Sequence, residues 1–317
     1  MARTDILLAT YNGAKYLPAL IQSIEAQEDR DYRVLVRDDG SNDGTLAIIR
    51  AWQARDKARV ALVETDVPAG GAAANFARLM AISDAPYVLF ADQDDLWRPA
   101  KVGATVAALV QAEAKRGADI PLLAFCDLAV VDAAGGIINP SFRHFQGMDA
   151  VAGAAFHRLL TENVVTGCAM GINRAACRIG HDVPPEALMH DWWLALVCAG
   201  RGEIITMPEC LIDYRQHGNN AVGAKPWSAA DAIRDKIRSG RLRGNQQRFL
   251  AWMDRLYAQA AALQRLQGAA LQPDSAETLA AFLALPHSGF LARRVRMIRY
   301  GFRLSGVIRT IGLYMRA

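Results

Sequence analysis

Three short acidic segments carry the chemistry that can be read from this chain. The first is Asp38-Asp39-Gly40-Ser41-Asn42-Asp43-Gly44-Thr45, three carboxylates in a tight loop. Such carboxylates repel one another unless a cation or hydrogen-bond donors meet them. The second is Ala91-Asp92-Gln93-Asp94-Asp95-Leu96-Trp97, three more carboxylates closing the apolar run Tyr87–Phe90. Burying unpaired carboxylates is costly, so a cation is their natural partner, and hard oxygen ligands at this density suit Mg²⁺ or Mn²⁺. The third is Met189-His190-Asp191-Trp192-Trp193, an acid at the start of an apolar helix beside two indoles. A fourth segment, Tyr214-Arg215-Gln216-His217, adds a guanidinium and an imidazole that could meet phosphate or metal.

Structural roles compete with each of these. Asn42 or Asp43 could cap a following helix. The acids before Pro99 could favour a helix N-terminus. Asp191 could be a helix-start acid with Trp packing. An EF-hand register fits Asp39, Ser41, Asp43 and Gly44 but fails at its twelfth position, where Arg50 stands. A dinucleotide-binding glycine fingerprint would follow the first strand; Thr10-Tyr11-Asn12-Gly13 is not one.

The elements that must position these loops alternate. Apolar, β-rich runs at 6–9, 33–37, 60–63, 87–91 and 122–131 read as strands. Helical spacing marks 17–27, 45–52, 75–82 and 101–114 between them. This order predicts a mostly parallel α/β sheet between helices, with ligands at the carboxyl ends of the strands. A helix over 187–198 and short strands at 204–205 and 211–214 follow. From Pro226 onward only helices are expected: 228–239, 245–267, 275–285 and 290–316. Two domains result, a catalytic one over 1–224 and a basic helical region over 225–317.

The motifs Ala-Thr-Tyr-Asn-Gly, Arg-Asp-Asp-Gly-Ser-Asn-Asp-Gly-Thr and Ala-Asp-Gln-Asp-Asp-Leu-Trp, in this order and spacing, resemble those of family 2 glycosyltransferases with the GT-A fold. The likeness spans about residues 4–222. It implies inverting transfer from a nucleotide-diphosphate sugar with a divalent metal, Mg²⁺ or Mn²⁺, on the diphosphate. By motif position, Thr10, Tyr11 and Asp39 would hold the nucleoside, Asp92 would reach the ribose, and Asp94 would ligate the metal. Asp95 would lie toward the donor sugar. The glutamine at 93 and the trailing Leu-Trp resemble the rhamnosyltransferase-like branch, which makes rhamnose from dTDP-rhamnose the first donor to consider. A UDP- or GDP-hexose is the alternative, and a catalytically idle nucleotide-sugar-binding scaffold is a further one. The base of the family falls at Asp191, preceded here by His190 where the family usually has an acid. The 214–220 segment resembles one that closes the donor site, with Arg215 toward the diphosphate and His217 toward the metal. Gly70–Phe76 corresponds loosely to a donor-side loop, and 163–173 is expected on the acceptor side.

Composition bounds the rest. The chain has 317 residues, 52% hydrophobic and 21% charged, which is globular composition. Its five cysteines are an odd number without a CxxC pair, so they read as buried thiols in a reducing compartment. No apolar stretch approaches the about 20 residues of a membrane span, and no secretory leader is visible at the start. A cytoplasmic protein is expected, peripheral on the inner face of the cell membrane. The net charge of +4 conceals a split: residues 1–224 hold 20 basic and 27 acidic residues, residues 225–317 hold 16 and 5. Residues 290–317 contain seven arginines and no acid, interleaved with Phe290, Leu291, Val295, Ile298, Phe302, Leu304, Val307, Ile308, Ile311 and Leu313. A second basic group is Arg234, Lys236, Arg238, Arg241, Arg243 and Arg248. This pattern suits an anionic membrane surface. A solvated appendage or a homo-oligomer contact is the rival. Nucleic acid would explain the charge but not the apolar interleaving, and is not expected. The donor is then a nucleotide-diphosphate sugar and the acceptor a glycan or lipid-linked glycan, as in bacterial surface polysaccharide synthesis.

Overall fold

The computed structural model describes residues 3–64, 67–217 and 242–316. The helix expected over 228–239, the basic residues Arg234, Lys236, Arg238 and Arg241, and the 224/225 boundary lie outside the described residues. Among the described residues nine strands form one sheet: β1 (Thr4–Thr10), β2 (Tyr32–Asp38), β3 (Val60–Leu62), β4 (Tyr87–Asp92), β5 (Leu96–Trp97), β6 (Leu122–Val131), β7 (Ile137–Asn139), β8 (Met170–Asn173) and β9 (Glu203–Arg215). Their order is β3-β2-β1-β4-β8-β6-β9-β5, with β7 paired to β6.

The half built by β3, β2, β1 and β4 is parallel throughout. Antiparallel β8 lies between β4 and β6, and β6 then pairs parallel with β9. The sheet is therefore parallel where the first two acidic loops leave it and mixed beyond. All ten residues of β6 are buried, as a strand covered on both faces requires.

Helices α1 (Leu17–Glu25), α2 (Thr45–Arg55), α3 (Ala72–Ile82) and α4 (Lys101–Arg116) cross between the strands. Pro18 stands in the first turn of α1, where a missing N–H costs nothing. Short helices α5 (Phe142–Gln146), α6 (Ala150–Gly153), α7 (Phe156–Leu159) and α8 (Arg174–Gly180) precede α9 (His190–Arg201). α9 starts three residues later than its sequence pattern suggests, so Asp191 falls in its first turn.

Register places the chemistry. Thr10 pairs with Asp38, and Ala9 with Asp92, so the loops after β1, β2 and β4 leave the same edge together. β9 is one strand where two short ones were expected. Pro208 and Glu209 break its apolar pattern, but they fall in a bulge of β9, where the step from Thr206 to Cys210 lies against the shorter step of β6 from Phe125 to Asp127. Its last residue, Arg215, pairs with Val131, while Leu96 and Trp97 pair with Asp213 and Ile212. The end of β9 is thereby brought to the loop that holds Asp94 and Asp95.

The C-terminal helices are α10 (Leu242–Gln267), α11 (Pro273–Leu283), α12 (Phe290–Arg299) and α13 (Val307–Arg316). The single helix expected over 290–316 is broken between Arg299 and Val307. Gly301 and Gly306 there take φ of 69° and 86°, which only glycine adopts cheaply. These helices share one apolar cluster with the sheet: Leu256, Leu263, Phe282, Met297, Phe302 and Leu313 join Phe156, Leu159, Trp193 and Leu194. Each fully buried side chain of this kind contributes roughly 1.5–3 kcal/mol. Cys126, Cys168, Cys177 and Cys198 are buried thiols, Cys210 is half-buried, and none is in a disulfide.

Candidate active site

The loop after β2 is organised by its first acid. Asp38 accepts the Thr10 hydroxyl at 2.7 Å, the Ser41 hydroxyl at 2.6 Å and the backbone N–H groups of Gly40 and Ser41 at 3.1 and 2.7 Å. Thr10 is thus a buried brace beneath the loop, while the Tyr11 side chain projects into solvent. Asp43 accepts the Thr45 hydroxyl and N–H at the head of α2 from one residue ahead of the cap, which is Gly44, so neither Asn42 nor Asp43 is the cap. Asp39 faces the other way. It accepts N–H bonds from Ala69 and, at 2.8 Å, from Gly71 ahead of α3, and pairs with Arg37 at 3.5 Å. Arg37 is buried and donates to Asn75 at 2.9 Å and to the Val67 carbonyl at 2.7 Å, so Arg37, held by Asn75, anchors the 67–71 loop from within.

The loop after β4 gathers charge. Asp94 Oδ2 lies 2.8 Å from His217 Nε2. Asp95 is wholly buried and accepts the Arg215 backbone N–H at 3.1 Å. The Arg215 guanidinium donates to the carbonyls of Asp94 and Ala133 at 3.0 and 2.9 Å. Asp92, Asp95 and Cys168 place one potential ligand atom each within 4.8 Å of one another. Burial and the neighbouring charges of Asp94 and Asp191 push the Asp92 carboxyl upward. Burial does the same to Asp95, reinforced by Asp94 and Asp92. Burial raises the Cys168 thiol as well, and the two acids raise it further. A strand end that gathers three acids and offers carboxylate oxygen and imidazole nitrogen fits a hard divalent cation.

The third segment meets the second. Asp191 accepts the Gly167 N–H at 3.0 Å on one oxygen, and the Asn163 amide at 3.2 Å and its neighbour Trp192's N–H on the other. Burial nonetheless pushes its carboxyl up to about 7, the range of a general base at neutral pH. His190 points elsewhere. Its ring stacks 4.3 Å from Phe76 and 5.5 Å from Phe90, and neither nitrogen has a hydrogen-bond partner. Burial pulls it down to about 3, so it is neutral. Trp193 is buried in the core; the half-buried Trp192 donates its indole N–H to the Leu159 carbonyl at 2.6 Å.

Three residues take supporting roles that the sequence reading did not assign to them. Gln93 exchanges two hydrogen bonds with the backbone of Tyr11, at 2.9 and 2.8 Å, clipping the β1 loop to the β4 loop. A Cβ on Gly13 would fall 2.2 Å from the Gln93 oxygen, so a larger residue there displaces the Gln93 side chain. Tyr16 stacks on His217 at 4.6 Å, with the Arg215 guanidinium 5.0 Å from its ring. Asn163 holds Asp191. The doublet of hydrogen-bonding groups in Gln93 is the one legible signal; the others depend on tertiary placement.

Comparison with known proteins agrees with this geometry. Residues 5–115 match the model of the glycosyl transferase family 2. The dTDP-rhamnosyl transferase RfbG of Shigella flexneri is 28% identical over 225 residues, 68% of this chain and 74% of that protein. The putative teichuronic acid biosynthesis glycosyltransferase TuaG of Bacillus subtilis is 24% identical over 230 residues, 71% of this chain and 83% of that one. The crystal structure of Staphylococcus aureus TarS 1-349 in complex with UDP-GlcNAc superimposes with a TM-score of 0.57 at 16% identity, covering 95% of this chain and 93% of that one. The fold is shared, and over residues 5–115, which hold the first two acidic loops, the chain matches the family 2 glycosyltransferases on a GT-A fold, whereas Asp191 and His217 lie beyond the matched residues.

Proposed function

We propose that the protein is a metal-dependent, inverting hexosyltransferase that moves a sugar from a nucleotide-diphosphate donor to a glycan or lipid-linked acceptor in bacterial surface polysaccharide synthesis. The observation that carries this reading is the Asp94–His217 pair at 2.8 Å, together with Asp191, whose charge reaches Asp92 and whose carboxyl is pushed up to about 7 by burial. Rhamnose from dTDP-rhamnose is the first donor, supported by the extent of the likeness to RfbG. A UDP-hexose is the second, supported by the TarS poly(ribitol-phosphate) beta-N-acetylglucosaminyltransferase of Staphylococcus aureus, 32% identical over 97 residues, although these cover only 17% of that protein.

In this reading the loops after β1 and β2, braced by Thr10 and carrying Tyr11 and Asp39, hold the nucleoside, and Asp92 reaches the ribose. Asp94 and His217 hold Mg²⁺ or Mn²⁺, which when bound neutralises the charge developing on the leaving diphosphate. Arg215 and Asp95 lie behind Asp94 and fix its backbone on the donor side. Asp191 takes the proton from the acceptor hydroxyl. The acceptor oxygen forms its bond to the anomeric carbon as the bond to the diphosphate breaks, on the opposite face, so configuration inverts. Residues 1–224 form the catalytic unit and 225–317 a helical extension, and the protein works peripherally on the inner face of the membrane.

Thermal-shift measurement with a panel of nucleotide sugars and Mn²⁺ tests the donor. Selective stabilisation by dTDP-rhamnose supports the first reading through binding linkage, and by a UDP- or GDP-hexose the second. Binding without turnover for any acceptor would mark an idle scaffold.

A further inference from the structure

The helices α12 and α13 are amphipathic in an inverted sense. Each is fastened to the body by few residues and turns its most apolar side outward. On α12, Met297 is buried, whereas Leu291, Val295 and Ile298 are 75%, 65% and 64% exposed. On α13, Leu313 is buried, whereas Val307, Ile311 and Met315 are 75%, 52% and 68% exposed. At 100° per residue the three exposed positions of each helix fall on one side, and the buried residue falls well away from their centre. Phe290, Arg294, Ile298, Ile311, Tyr314 and Met315 line one shallow groove, so the two outward faces are continuous.

The charge at this face has one sign. Arg294 lies with its guanidinium 3.5 Å from the Phe290 ring centre, within the apolar side of α12. Arg299 and Arg303 are exposed, whereas Arg316 lies on the other side of α13, 5.9 Å from the Phe249 ring centre. Arg309 instead turns inward to Glu162 at 3.4 Å and helps to fasten α13. From 290 to 317 there is no acid at all. A two-fold contact between copies would set these arginines against one another, which is unfavourable without acids to pair them. An apolar face with a single-signed rim of arginine complements a surface that is apolar beneath and negative above.

We infer that the joint outward face of α12 and α13 docks the protein on an anionic lipid bilayer. This deepens the membrane reading of the proposed function and names its surface. The face is tied to the acceptor side of the site through one segment. The carbonyl of Arg303 accepts from Arg158 at 3.0 Å and from Thr161 at 2.9 Å, and Ser305 N–H donates to Glu162 at 2.6 Å. Asn163, the next residue, holds Asp191. A docked protein therefore presents the Asp191 side of its site at a short chain distance from the membrane, where a lipid-linked acceptor resides.

Sedimentation of the full chain with vesicles tests this. Deleting 290–317 is unsuitable, because Met297, Phe302 and Leu313 belong to the core. The exposed triple variant Leu291→Ser/Ile298→Ser/Met315→Ser leaves that core intact. The full chain is expected to sediment with vesicles of phosphatidylglycerol and phosphatidylcholine at low salt. It should stay in the supernatant with phosphatidylcholine alone, and be released as salt shortens the Debye length from about 10 Å at 0.1 M to about 3 Å at 1 M. The variant should bind anionic vesicles at least tenfold more weakly while hydrolysing nucleotide sugar in solution at the parent rate. A full chain that ignores anionic vesicles at low salt, or a variant that binds them as well as the parent, overturns the inference. A parent dimer in analytical ultracentrifugation that the variant dissolves overturns it in favour of a second copy. Vesicle binding is read without turnover and hydrolysis without vesicles, so failure here is distinct from failure of the glycosyl-transfer reading.

Discussion

His217 lies 123 residues beyond Asp94 in the chain, yet its Nε2 stands 2.8 Å from the Asp94 carboxylate. The contact exists because β9 ends beside the β4 loop. Asp95 fixes the backbone of Arg215, and Tyr16 supports the imidazole from one face. An imidazole and a carboxylate held at this distance offer one nitrogen and one oxygen to the same ion.

The first prediction concerns that pair. Asp94→Asn should lower donor hydrolysis or transfer by roughly 10²-fold or more, as when a group stabilising developing charge is removed. Calorimetric titration should show weaker Mn²⁺ binding for both Asp94→Asn and His217→Ala. Normal turnover of Asp94→Asn in the presence of EDTA would remove the metal role from this loop.

The second concerns Gln93. Its two hydrogen bonds to Tyr11 join the loops that carry the nucleoside and diphosphate contacts of the proposed mechanism. Net values of about 0.5–1.5 kcal/mol per bond imply that Gln93→Ala weakens nucleotide binding by roughly five- to a hundredfold, nearer the lower figure for a partly exposed pair. Gly13→Ala should do the same by displacing the Gln93 side chain. Fluorescence or calorimetric titration with the nucleotide reads the effect, and an unchanged dissociation constant would mean that the Tyr11 loop holds itself.

Much of this fold is legible in the chain. β1, β2, β4 and β6 coincide with apolar runs because strands buried on both faces need unbroken hydrophobicity, and the acids that terminate them stand out against it. β9 reads as two pieces because Pro208 and Glu209 interrupt it, and only its pairing with β6, across a bulge of β9 itself, restores continuity. The break between α12 and α13 was signalled by Gly301 and Gly306, but the surrounding apolar and basic residues keep helical spacing across it. In the site, acids in a short loop announce themselves, whereas Tyr16, Asn163 and the inward turn of His190 depend on which elements pack together. Within the basic tail, composition cannot separate Phe302 and Leu313, which are core, from Leu291 and Met315, which face outward.

The third prediction uses His190. A buried ring with two unpartnered nitrogens is destabilising relative to an apolar residue of similar size. Its folded-state pKa is depressed to about 3 from 6.5. Its neutral form therefore suits the fold above pH 6.5, and stability is lost as pH falls from 6.5 toward 3, because the unfolded chain takes the proton first. His190→Met should melt no lower than the parent at pH 8 and higher at pH 5, with turnover within about threefold. A large loss of turnover at parental stability would give His190 a direct part in the chemistry.

The last prediction concerns Asp191. Its carboxyl is pushed up to about 7 by burial, against hydrogen bonds from Trp192, Gly167 and Asn163 that favour the charged form. A base must be ionised to act, so kcat/KM should rise with pH through about 7 and level off above it. The same shift governs stability with the opposite sign. Below pH 3.8 both folded and unfolded carboxyls are protonated, and the preference of the fold for the neutral form is fully expressed. Between 3.8 and about 7 the unfolded chain releases its proton first, so stability falls as pH rises. Asp191→Asn carries no charge and escapes that fall, so its melting temperature relative to the parent should increase from pH 5 to pH 8. Transfer should drop about 10²–10⁴-fold while nucleotide-sugar affinity is kept, because Asn retains an oxygen for the Gly167 N–H. These two readouts separate a base from a structural acid. A variant that is stabilised at pH 8 and inactive fits proton removal by Asp191. A variant that transfers sugar at the parental rate, with an unchanged pH profile, assigns the proton to another group.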